Sequence, residues 1–122
     1  MTHLTIFEVL VLCHLVGDWL CQTEFEAMNK AKGRFLNFAI IKHCFTYTLS
    51  FIPAYLYFGF PAWWLGVIYI THHLLDRRWP VIWFIRTMKC TDQRTIDALF
   101  WLVIAVDQIF HLLVLVGLIF TF

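Results

Sequence analysis

Apolar residues dominate this chain in four long blocks, over about 4–28, 35–58, 61–78 and 95–120, with short polar gaps between them. A helix needs roughly 20 mostly apolar residues to cross a hydrocarbon core about 30 Å thick, so each block predicts a membrane span. The third block is the shortest. Pro61 opens it, at a position where a missing N–H is no loss. The stretch "RRWPVIW" closes it, because Pro80 lacks a donor and crowds the preceding turn. Residues 80–89, "PVIWFIRTMK", then predict a short helix lying in the interface, with Trp83 at headgroup depth. The expected fold class is all-α. It is an integral-membrane four-helix bundle with an interfacial helix between the third and fourth spans, and 1–122 is one transmembrane domain.

Each block carries polar residues that lipid does not favour. "CHLVGDWLCQ" places His14, Asp18 and Gln22 four residues apart, on one helix face. The second block holds His43, the third His72, His73 and Asp76, and the fourth Asp107, Gln108 and His111. The spacings from His14 to Asp18 and from His72 to Asp76 are both i,i+4, and Asp107 to His111 repeats that spacing in reverse order.

The basic residues predict how the spans run. Lys30, Lys32 and Arg34 fill the first gap, and Arg77, Arg78, Arg86, Lys89 and Arg94 cluster around the third. The gap "FGFPAWW" and both ends of the chain carry no Lys or Arg. By the positive-inside rule both basic regions are cytoplasmic and both termini lie outside, in a bacterial inner membrane. The first and third spans then descend and the fourth ascends, so the reversed Asp107–His111 order brings its imidazole to the level of the other two. Three helices are expected to present an outer imidazole and an inner carboxylate.

Ionisable groups at that depth cost several kcal/mol unless paired, and they mark functional sites. His14, His43, His72 and His111 with Asp18, Asp76 and Asp107 form a plausible ligand set for one or two divalent transition metals. Imidazole with carboxylate suits Zn, Mn or Fe, and helix bundles build such centres from facing side chains. The repeated spacing favours His72 over its neighbour His73. Gln22 and Gln108 would orient the ligands through hydrogen bonds. A carboxylate not used as a ligand, Asp18 or Asp76, would be the catalytic base. Lys30, Arg77 and Arg78 would contact a substrate phosphate at the cytoplasmic mouth. The plainer readings are interhelical hydrogen bonds worth roughly 0.6 kcal/mol each, a His43 that snorkels to the nearby loop, and an arginine pair that binds anionic lipid. Glu24, Glu26, Asp92 and Asp97 are expected at or beyond the interface.

Composition supports the membrane assignment. Hydrophobic residues make up 61% of the 122 and charged ones 14%, with 13 Phe and 6 Trp; soluble domains average roughly 45–50% and about 25%. A net charge of +1 gives no basic surface for nucleic acid. The first block has no basic residues before it and no small-x-small site after it, so it reads as a retained helix and not as a signal peptide. Cys13, Cys21, Cys44 and Cys90 have no C-x-x-C spacing, and no disulfide is expected. G-x-S-x-G, H-E-x-x-H and a P-loop are all missing, which disfavours serine hydrolases, zincins and nucleotide-driven machines.

"HLVGDWLCQ" with Lys30 downstream, then His43, "HHLLD" and "DQIFH", resembles a family of small bacterial and phage membrane proteins of unknown function. The likeness spans nearly the whole chain. It implies that His14, Asp18, Gln22, His43, His72, Asp76, Asp107, Gln108 and His111 form a common site, and it supplies no activity. The expected function is a metal-dependent membrane hydrolase acting on a lipid-linked or phosphate-bearing substrate. The alternatives are proton or divalent-cation translocation, with homo-oligomerisation supplying a pore, and a membrane interaction or regulatory protein with a structural polar core.

Overall fold

The computed structural model describes residues 3–122, and every regular element among them is helical. The first apolar block does not form one helix. α1, Ile6–Leu15, begins at a capping box in which Thr5 and Glu8 satisfy each other's backbone N–H groups, and it runs into a π-helical segment, Val16–Leu20. The chain then breaks, and α2, Glu24–Asn29, starts from a second capping box made by Thr23 and Glu26. A T-x-x-E box stops the preceding helix because it supplies the donors' partners at a new N-terminus. Glu26, expected at the interface, is therefore only 1% exposed, and its other carboxylate oxygen faces Lys42 at 3.5 Å.

The second block is also split. α3, Phe38–Leu49, is capped by the Asn37 side chain, and α4, Ile52–Phe58, follows a bend at Phe51 with Pro53 in its first turn. Gly59 ends α4 in the left-handed conformation that glycine tolerates. α5, Trp63–Asp76, and α6, Trp79–Met88, are separated by Arg78, which adopts a left-handed φ of 65°. α7, Gln93–Ala98, is capped by Asp92 and turns at Leu99 into α8, Phe100–Ile119. Among the described residues α8 is the one helix long and apolar enough to cross a membrane. The other blocks fall short of that length as single helices, because each is interrupted by a cap, a proline bend or the π segment.

α1 packs on α8 and α4, the π segment on α3, α3 on α5, and α5 on α8, so these elements close a ring. One end of the ring is filled by Leu10, Tyr47, Phe51, Phe60, Trp64, Ile68, Leu115 and Leu118. A second apolar cluster, Val81, Ile85, Ile96 and Val103, joins α6, α7 and α8. The polar residues lie between the two. α8 shows the layering directly, with Val103, then Asp107 and His111, then Leu115 and Leu118 at helical spacing on one side.

Gly17 sets how closely the π segment approaches α3. A Cβ there would meet Ser50 Oγ at 2.6 Å and Tyr47 Cδ2 at 2.9 Å. Only glycine fits that approach, and it puts Asp18 against α3.

Candidate metal centre

The π segment widens the backbone turn that presents Asp18. Such bulges insert a residue into a helix and recur at functional sites. Asp18 Oδ1 lies 3.2 Å from His43 Nε2 of α3 and 3.8 Å from His72 Nε2 of α5. Asp76 Oδ2, one turn beyond His72, is 2.9 Å from His43 Nε2 and 3.2 Å from His72 Nε2. The two imidazole Nε2 atoms are themselves 2.9 Å apart. Two neutral imidazoles can place only one proton between them, so at least one of these nitrogens presents its lone pair to the same point as the carboxylates. Asp76 Oδ2 meets hydrogen-bond geometry with none of its close neighbours. Asp18, His43, His72 and Asp76 thus offer four buried ligand atoms, all within 4.8 Å of one another. That arrangement can hold a metal ion.

A second group, Asp18, Asp107 and His111, meets the same criterion and shares Asp18. Gln108 links the two groups. Its Nε2 donates to Asp18 Oδ2 at 3.0 Å and to Asp107 Oδ2 at 3.2 Å. Its Oε1 accepts from Trp19 Nε1 at 3.1 Å and from His14 Nε2 at 2.8 Å. With both amide protons directed at carboxylates, His14 must donate from Nε2, and its Nδ1 then accepts from the Tyr47 hydroxyl at 2.9 Å. Both ring nitrogens of His14 are thereby taken, and His14 stands outside both groups. Its ring packs 5.3 Å from that of His111 and serves the centre through Gln108.

Lys30 enters the centre from the end of α2. Its Nζ is 2.8 Å from Asp76 Oδ2, 3.6 Å from Asp18 Oδ1 and 3.5 Å from His43 Nε2. Burial works against its charge, but the carboxylates of Asp76 and Asp18 outweigh that and hold the ammonium above its ordinary pKa. Arg77 does not face the site. Its guanidinium donates to the carbonyls of Lys30 (3.0 Å), Lys32 (2.9 Å) and Gly33 (2.7 Å), fastening the loop that carries Lys30. Arg78 lies over the Phe100 ring at 4.8 Å and lines a cavity of about 210 Å³. Asp18, Gln22, Lys30, Asp76 and Asp107 share that wall with it. His73 points away and donates from Nε2 to the Phe35 carbonyl at 2.9 Å.

A family profile described as "Protein of unknown function (DUF3307)" matches residues 6–122. The chain belongs to this family. No curated protein and no solved structure matches it. The matched span of this DUF3307 chain includes every residue of the centre.

Two contributors are absent from the sequence reading. Tyr47 stacks on His72, with ring centroids 3.5 Å apart and planes 6° apart, and it also binds His14. The available signal was its i,i+4 spacing from His43. Trp19, next to Asp18, reaches Gln108 because the π segment turns both side chains toward α8; nothing in the local pattern announces a π segment.

Proposed function

We propose that this protein is a membrane-embedded, metal-dependent hydrolase acting on a phosphate-bearing amphiphile. The observation that carries the reading is the convergence of Asp18, His43, His72 and Asp76 on one point, with Asp18 and Asp76 also lining a cavity that presents Lys30 and Arg78. Imidazole with carboxylate suits Zn, Mn or Fe. Such an ion, when bound, lowers the pKa of a bound water and polarises a phosphoryl oxygen. The chain's own groups have separable tasks. His43 and His72 would hold the ion through Nε2, together with a carboxylate from Asp18 or Asp76. Whichever of Asp18 and Asp76 is not used as a ligand would take the proton from the attacking water. Gln108 and His14 keep the Asp18 carboxylate turned inward. Lys30 and Arg78 bind the phosphate, and Arg77 positions Lys30.

A bilayer location is supported by the apolar exterior. Trp19, Phe38, Phe45, Ile70, Trp83, Trp101 and Phe120 are all exposed, although each carries a side chain that water disfavours. In this reading the four apolar blocks, three of them as broken or short spans, cross a bacterial inner membrane with both termini outside. The positive-inside rule then sets Lys30 and Arg78 of the cavity on the cytoplasmic side with Lys32, Arg34 and Lys89. An amphiphile fits a site whose polar wall includes Val103 and Ile104 beside the charges.

One observation favours a second reading, a metal-free proton relay. Lys30 already pairs with Asp76, and hydrogen bonds run from Tyr47 through His14 and Gln108 to Asp18 and His43. Metal content separates the two. The purified protein is expected to hold a transition metal by elemental mass spectrometry, to lose it in His43→Ala/Asp76→Asn, and to release phosphate from a lipid phosphate monoester only when loaded. Absence of metal after repletion, together with proton flux in vesicles, would establish the relay instead.

A further inference from the structure

Asp107 and His111 take no part in the four-atom group, yet both are aimed at it. We propose that Asp18, Asp107 and His111 form a second divalent-cation position, filled together with a phosphate-class anion in the adjoining cavity. The proposal rests on the four-atom group being a metal site.

His111 is 3% exposed. Its Nδ1–H donates to the Asp107 backbone carbonyl at 2.8 Å, which fixes the tautomer and leaves the lone pair on Nε2. That Nε2 is buried without a hydrogen-bond partner, 3.6 Å from Asp76 Oδ1. Asp107 Oδ1 is likewise buried and unpartnered. An imidazole nitrogen and a carboxylate oxygen, both buried and both without a hydrogen-bond partner, are a costly pair for a fold to keep. They are also the two atoms a divalent cation would use. Gln108 aligns the set, because its two amide protons hold Asp18 Oδ2 and Asp107 Oδ2 side by side. Asp18 then has one oxygen toward His43 and the other toward Asp107, the arrangement of a carboxylate that bridges two ions.

Charge decides how the second position fills. Among the buried groups the carboxylates of Asp18, Asp76 and Asp107 face the single ammonium of Lys30, a surplus of two negative charges, and half-buried Arg78 adds its positive charge at the outer wall of the cavity. One divalent ion balances that surplus. A second ion alone would leave two uncompensated positive charges away from water, which is strongly unfavourable. An anion of charge near minus two restores balance, and the cavity beside Asp18 and Asp107 has Lys30 and Arg78 on its wall to receive one. A phosphate monoester carries that charge near neutral pH. Binding of the second ion and of the anion are therefore linked, each strengthening the other by the same factor.

The test uses the full chain in phosphatidylcholine nanodiscs equilibrated with Mn²⁺. Elemental analysis is expected to give one equivalent without added anion. It should give two with inorganic phosphate, or with phosphatidic acid in the nanodisc, and the effective arm tells free phosphate from a lipid headgroup. Electron paramagnetic resonance should change from an isolated-ion spectrum to that of an exchange-coupled pair. His111→Gln and Asp107→Asn, made separately so that one misfolded variant does not decide the matter, should each stay at one equivalent in every condition. Two equivalents without any anion would overturn the linkage. One equivalent in wild type whatever the anion would overturn the second position. No metal under any condition would instead remove the four-atom site on which the proposal rests.

Discussion

The apolar end of the ring and its polar centre are built from the same helices, about one turn apart. α5 contributes Trp64 and Ile68 to the first and His72 and Asp76 to the second; α8 contributes Leu115 and Leu118, then His111 and Asp107. At the apolar end the polar atoms are paired. Trp64 stacks on Phe60 with centroids 4.7 Å apart, and its Nε1–H donates to Thr121 Oγ1 at 3.1 Å. Among the described residues the buried unpartnered side-chain atoms belong to Gln22, His43, His72, Asp76, Asp107 and His111, all within or beside the centre. Unpaired buried polar atoms oppose folding, so the apolar layer holds the ring closed while the centre strains against it.

The comparison can be broken most easily at Trp64. Trp64→Ala empties the largest fully buried side chain and is expected to lower stability by about 3–5 kcal/mol in a detergent unfolding titration. Metal bound per folded molecule should not change. If metal is lost in proportion, the two layers are one cooperative unit and the division fails.

Asp76→Leu strikes the other layer. It should abolish metal binding and cost about 3 kcal/mol, because the Lys30 ammonium is left buried without its partner at 2.8 Å. Lys30→Met/Asp76→Leu should recover most of that stability and none of the metal. A double variant no more stable than the single one would show that the ion pair itself supports the fold.

Gly17→Ala tests the seam between the layers. The added methyl meets Ser50 and Tyr47 within 3 Å, so a loss of about 1–3 kcal/mol is expected. Metal affinity should weaken as well, because Asp18 moves with the π segment; unchanged affinity would mean that Asp18 is not held by this contact. Thr121→Val is the mildest change. It removes the acceptor for Trp64 and should cost about 1 kcal/mol in the same titration, with no effect on metal. A metal effect there would extend the centre to the far end of the ring.

Much of the helical architecture was legible along the chain. The apolar blocks locate the helices, Pro80 separates α5 from α6, and both T-x-x-E capping boxes stand in plain view at Thr5 and Thr23. Neither box belongs to the four-span pattern, because Glu8, Glu24 and Glu26 look like surface or interface residues when the surrounding block is read as one span. The bend at Phe51 was hidden for a related reason, since Pro53 sits in a first helical turn that only the break creates.

For the candidate site, i,i+4 spacing located the side chains because helix geometry alone puts such residues on one face. Their identity as imidazole, carboxylate and amide is likewise written in the chain. Partnership is a different matter. His14 and His111 each stand four residues from an aspartate, yet Gln108 and Tyr47 occupy both nitrogens of one while Nε2 of the other has no partner. Arg77 and Arg78 are neighbours, yet one ties down a loop and the other lines the cavity. Which helix face holds polar groups is a local property of the sequence. Which of those groups are left unsatisfied depends on distances of about 3 Å between residues far apart in the chain, and only the packing of the helices determines those.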